Sequence, residues 1–117
     1  MYKDLEERRE FPRLFKNLSL QYKNLERFPS VYVPSMCKNV SLGGMCFASY
    51  EFMPRFSKVI VTFTIEKPKV LQVKAISKIS WIKRNPSYEN YLAGVEFIAM
   101  TEDDRHFLSK FIEEELH

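Results

Sequence analysis

From Lys58 to Glu66 the chain reads KVIVTFTIE, and Val59, Val61, Phe63 and Ile65 occupy every second position. A period of two belongs to a strand with one face in a core and the other in solvent, and β-branched and aromatic side chains favour that conformation. The pattern spreads in both directions. Glu66-Lys67-Pro68-Lys69 is a short polar connection, and the run VLQVKAISKISWI after it sets Leu71, Val73, Ala75, Ile79 and Trp81 on one parity. Together the two runs read as a hairpin. Beyond a polar loop with Pro86, YLAGVEFIA is the last strand.

Upstream, LFKNLSLQYK (14–23) is a strand with imperfect alternation. LERFPSVYVPSM carries two prolines and reads as a loop around a short extended piece. CKNVSLGGMCFAS then reads as a strand, a tight Gly43-Gly44 turn or bulge, and a second short strand.

At Thr101 the period changes. TEDDRHFLSKFIEEEL places Phe107, Leu108, Phe111, Ile112 and Leu116 on one helical face. Thr101 suits an N-cap, Asp104 stands three residues on in a capping-box position, and Glu102, Asp103 and Asp104 suit the positive end of the helix dipole. About six short strands and one terminal helix predict an antiparallel barrel or sandwich on which the helix packs its apolar face.

A chain of 117 residues, 45% hydrophobic and 28% charged, is one domain's worth of soluble protein. Its net charge of +3 is too mild for a general nucleic-acid binder, so no DNA or RNA partner is expected. No long apolar span points to membrane insertion. Cys37 and Cys46 lack a second pair for a zinc site, and reduced thiols of a cytoplasmic protein are the expectation. His106 and His117 have no partner at a ligand or catalytic spacing, so neither a metal, a cofactor nor enzymatic activity is expected.

Two motifs remain. Arg8, Arg9 and Arg13 fall within one six-residue segment, RREFPR, in which Pro12 breaks any continuous helix. Guanidinium groups grip phosphate bidentately, pair with the O6/N7 edge of guanine and stack on purine rings. The second motif is Asn39-Val40-Ser41-Leu42-Gly43-Gly44. On an extended segment Asn39 and Ser41 face one way while Val40 and Leu42 face the core, which offers an amide and a hydroxyl to a base edge or phosphate. Taken alone, the first also fits a solvated charge cluster and the second a polar turn.

The pair in this order resembles the PilZ signature: RxxxR in Arg9 and Arg13, then [D/N]xSxxG in Asn39, Ser41 and Gly44. Trp81, the run Gly94-Val95-Glu96-Phe97 and the terminal amphipathic helix resemble the same family. The resemblance implies an all-β fold with one C-terminal helix, a six-stranded antiparallel barrel that binds cyclic di-GMP on its outer surface. It implies an arginine-bearing segment over 1–13, a barrel over 14–100 and a helix over 101–116. By similarity Arg9 and Arg13 grip phosphate and guanine, and Arg8 assists. Asn39 and Ser41 hydrogen-bond guanine or a nearby phosphate, and Gly44 shapes the turn. The family binds the nucleotide as a monomer or an intercalated dimer; Arg8, a further guanidinium, favours the dimer. The output then passes to a protein partner, with motility, adhesion and exopolysaccharide production as the family's usual ends. Two alternatives stay open, a PilZ-like adaptor that binds only protein and a small barrel for single-stranded nucleic acid.

Overall fold

The computed structural model describes residues 11–67 and 69–116, and alternation accounts for most of its walls. Six strands, β1 (Ser19–Asn24), β2 (Tyr32–Val40), β3 (Gly44–Ser49), β4 (Lys58–Ile65), β5 (Leu71–Asn85) and β6 (Asn90–Met100), precede helix α1 (Glu102–Leu116). Every pairing is antiparallel, and the order β1-β2-β3-β6-β5-β4 closes on itself because β1 also pairs with β4. Closure leaves no free edge for another chain to pair with. In β4 the expected parity holds throughout: Val59, Val61, Phe63 and Ile65 are all buried. They meet Leu20, Tyr22, Phe47, Val73 and Ile79 inside the barrel.

Three expectations are corrected. The first strand begins at Ser19, and Leu14 forms only an isolated bridge with Val40, its N–H and C=O both bonded to Val40 at 2.8 and 3.0 Å. Leu18 already pairs with Cys37, and four steps from Leu14 to Leu18 face three from Cys37 to Val40, so the ladder breaks between them. The proline-bearing stretch after it holds the first half of β2, a nine-residue strand. Pro34 pairs with Gln21 of β1, whereas the ladder to β3 starts only at Cys37, so the missing N–H opens no gap on that side. In β5 the parity reverses. Val73, Ala75 and Ile79 are buried and Leu71 half-buried, but Trp81 faces outward and is 39% exposed.

Helix α1 lies across one barrel end, where Leu108, Phe111 and Ile112 join the core that includes Leu14 and Leu18. Each such burial contributes about 1.5–3 kcal/mol. Phe107 is half-buried, and Leu116, in the last turn, is exposed. Thr101 caps the helix, its Oγ1 accepting the Asp104 N–H at 3.1 Å. Asp104 does not complete a capping box. Its carboxylate accepts the Lys74 N–H of β5 at 3.1 Å and so ties the helix to the barrel wall. Lys16 pairs with Glu115 at 2.6 Å near the far end of the helix.

Candidate functional site

Two β-bulges prepare the outer wall. In β2 the register shifts between Cys37 and Asn39, so that Cys37 and Val40 both point into the core and Asn39 between them points out. In β5 it shifts between Ile79 and Trp81, and Trp81 turns outward for the same reason. A bulge re-aims side chains by adding one residue on one side of the ladder. The extra residue in β5 is Ser80, whose hydroxyl donates to Gly94 O at 3.2 Å.

These two side chains belong to one row. Asn39 pairs with Cys46, Cys46 with Gly94, and Gly94 with Trp81, across β2, β3, β6 and β5. The middle of the row is low, because Cys46 is small and Gly94 has no side chain. The Trp81 indole lies over Gly94: a Cβ there would stand 2.0 Å from Nε1. The result is an open cleft of about 660 Å³ walled by Asn39 and Ser41 on one side and Trp81 on the other, within the ~300–1,000 Å³ span of small-molecule sites.

The rim is cationic. Arg13 is carried beside Asn39 by the Leu14–Val40 bridge and lines the cleft with its side chain exposed. Arg105, from the first turns of α1, lines it too; its guanidinium stands 5.7 Å from the Phe11 ring centroid and donates to Leu42 O at 3.5 Å. Phe11 in turn rests on Gly43, where a Cβ would stand 3.0 Å from its ring. Glu96 adds a carboxylate, drawn towards Lys78 at 3.5 Å.

The turn between β2 and β3 is built by Ser41. Its Oγ accepts the Gly43 N–H at 3.1 Å, and its own N–H bonds Gly44 O at 2.8 Å. Neither glycine has positive φ. Gly44 is needed for close approach instead, since a Cβ would stand 2.1 Å from Val95 O on β6. It therefore holds β3 against β6 as the first residue of its strand, rather than giving the turn a left-handed backbone.

Chemically the cleft offers guanidinium, amide, hydroxyl and indole groups, a set for binding a flat polar ligand with negative charge. Cys46 on its floor is a free thiol whose pKa burial raises, a rise partly offset by nearby Arg13. His106 lies on the exposed side of α1, 6.1 Å from the Phe107 ring. Among the described residues no group of His, Cys, Asp and Glu could hold a metal ion.

The sequence profile of the PilZ domain matches residues 7–114. The chain belongs to the PilZ family. No curated protein sequence matches it. The barrel resembles that of the Bacillus subtilis inhibitor of motility MotI/DgrA, with TM-score 0.77 and 18% identity over 93% of this chain. The chain spans about half of that protein, 52% of its length. It also resembles the PilZ domain of Escherichia coli YcgR, solved with c-di-GMP, at TM-score 0.66 and 14% identity over 93% of this chain and 92% of the other. The K. pneumonia MrkH–c-di-GMP complex matches at TM-score 0.64 and 14% identity, over 93% of this chain and 52% of that one.

In this PilZ domain Arg13, Asn39 and Ser41, singled out from the sequence, meet in the cleft. Gly44 lies at its edge, and Arg8 and Arg9 lie outside the described residues. Sequence reasoning missed Cys46, Ser80 and Arg105 as lining residues, and placed Trp81 in the core by parity. In the sequence the alternation runs unbroken through Trp81, and the one sign of a change of parity is the adjacent apolar Ile82, which the structure packs against the core.

Proposed function

We propose that the chain is a cyclic di-GMP receptor that passes the nucleotide signal to a protein partner. The observation that carries the reading is the convergence of Arg13, Asn39 and Ser41, from segments 26 or more residues apart, on one cleft of a PilZ barrel. The neighbours YcgR and MrkH, solved with the nucleotide, support it.

In this reading Arg9 and Arg13 grip phosphate and guanine, and Arg8 adds a stacking or phosphate group. Asn39 presents its amide to a guanine edge. The Ser41 hydroxyl, only weakly engaged with Gly44 O at 3.4 Å, turns its proton to the ligand and keeps its acceptor bond from Gly43. Gly44 keeps β3 close enough to β6 for the cleft floor to stay flat. The segment bearing Arg8 and Arg9 closes over the ligand, and the surface so formed meets the partner. No helix of the described residues is long and apolar enough to cross a membrane. A receptor for an intracellular nucleotide acts in the cytoplasm.

Calorimetric titration with cyclic di-GMP, against GMP and cyclic di-AMP as controls, tests the proposal. Selective binding that disappears in Arg9→Ala is expected, and the same titration gives the stoichiometry. Absence of heat together with an unshifted melting temperature would remove the receptor reading.

A further inference from the structure

At the barrel end opposite α1 three connections meet: 25–31 between β1 and β2, 50–57 between β3 and β4, and 86–89 between β5 and β6. Pairing forces them together, because β1 ends beside the starts of β2 and β4, and β3 ends beside the start of β6. Turns on such a rim are ordinarily polar. Here Leu25, Phe28, Val31, Tyr50, Phe52 and Phe56 are exposed, Phe28 to 98%. Apolar side chains concentrated on one pole of a small barrel mark an interaction surface.

Phe56 adds an independent sign. Its φ is 76°, a region that bulky L-residues rarely enter, at a cost of order 1–3 kcal/mol. The backbone is held there by Phe56 N–H to Ile79 O at 2.7 Å and Ile79 N–H to Ser57 O at 2.9 Å. The outcome is an aromatic ring 60% exposed, with the Arg55 guanidinium 4.8 Å from its centroid. Phe56 lies outside the core cluster, and this backbone turns its ring to solvent.

The surface is also concave. Between the 25–31 and 50–57 connections lies a groove of about 400 Å³, with Tyr22, Pro29, Val31 and Val33 in its walls and the Arg27–Glu51 ion pair beside it. A bilayer meets convex loop tips, whereas a groove of this size accepts one anchoring side chain from a protein. Charge narrows the partner further. With Arg27 and Glu51 cancelling, exposed Arg55, Lys58 and Arg84 outweigh Glu26 and Glu89 at this pole. Helix α1 at the other end is the reverse, with Glu102, Asp103, Asp104 and Glu113–Glu115 against Arg105 and Lys110 on the helix itself.

We infer that this pole docks a protein segment that seats one large apolar side chain in the groove and sets carboxylates against Arg55 and Lys58. It is separate from the nucleotide cleft, so the two sites can be occupied together. Panning a displayed random-peptide library on the full chain tests it. Enrichment of peptides with an aromatic or aliphatic residue flanked by Asp or Glu is expected. The affinity of a synthesised winner should fall about tenfold or more in Phe28→Ser and in Arg55→Glu, as for an interface hot spot, and stay unchanged in Arg13→Ala. Winners without carboxylates, winners indifferent to both substitutions, or no enrichment would overturn the inference. So would sedimentation with phosphatidylglycerol vesicles, or self-association of the chain, that is abolished by Phe28→Ser, since either gives the surface a different occupant. All three variants change exposed side chains, and an unchanged melting curve verifies that each still folds.

Discussion

Two glycines at the cleft are needed for opposite reasons, and a single methyl group separates them. At Gly44 the obstacle is backbone, the Val95 carbonyl oxygen 2.1 Å from where a Cβ would lie, and β3 would have to leave β6. Gly44→Ala should therefore lower stability by about 1–3 kcal/mol or more, read as a fall in melting temperature. At Gly94 the obstacle is the Trp81 ring, which can swing away. Gly94→Ala should cost less stability but change the Trp81 fluorescence and narrow the cleft; the reverse ranking would contradict this assignment. Arg13→Ala should weaken cyclic di-GMP binding by about 2–4 kcal/mol by calorimetry, through loss of charge-assisted contacts, with little change in melting temperature. Cys37 is fully buried, and burial pushes its thiol from 9.0 up to about 12. The unfolded thiol ionises from about pH 9 while the folded one stays neutral, so this contribution is complete below pH 9 and lost between 9 and 12. Denaturant unfolding across that window should show a steeper loss in the parent than in Cys37→Ala, and parallel curves would refute it.

Elements show what alternation can and cannot reveal. In β4 the pattern Val59, Val61, Phe63, Ile65 was legible because both neighbouring ladders, to β1 and β5, are regular along it. In β5 the same reasoning failed at Trp81, because a bulge reverses parity and its position depends on the partner strand rather than on β5 itself. Pro34 hid β2 for a related reason: a proline argues against a strand only where a neighbouring strand needs its N–H, and the ladder to β3 starts only at Cys37. The motif residues Arg13, Asn39 and Ser41 were readable because their types and spacing carry the chemistry. Cys46, Ser80 and Arg105 were not, since pairing register and helix docking alone bring them to the cleft. Helix α1 was legible in period and cap, but Asp104 bonds Lys74 N rather than closing a capping box. Thr101→Ala should cost about 1 kcal/mol of stability, measured by chemical denaturation, because the Asp104 N–H loses its acceptor.

At the scale of the molecule, three surfaces divide the barrel: an acidic helix across one end, an apolar and basic loop pole, and a cationic cleft on the wall between β2 and β5. The closed sheet makes the wall rigid, so that Asn39 and Trp81, at the two ends of a row of four strands, keep a fixed separation across the floor. Such a wall needs little reorganisation to bind a flat ligand. Trp81 is the chain's single tryptophan and stands in that wall, so its fluorescence reports on the cleft alone. The most direct measurement is therefore Trp81 emission during titration with cyclic di-GMP. A saturable change is predicted, absent with GMP and cyclic di-AMP and abolished in Arg13→Ala. Calorimetric binding with unaltered Trp81 emission would place the nucleotide elsewhere and contradict the account.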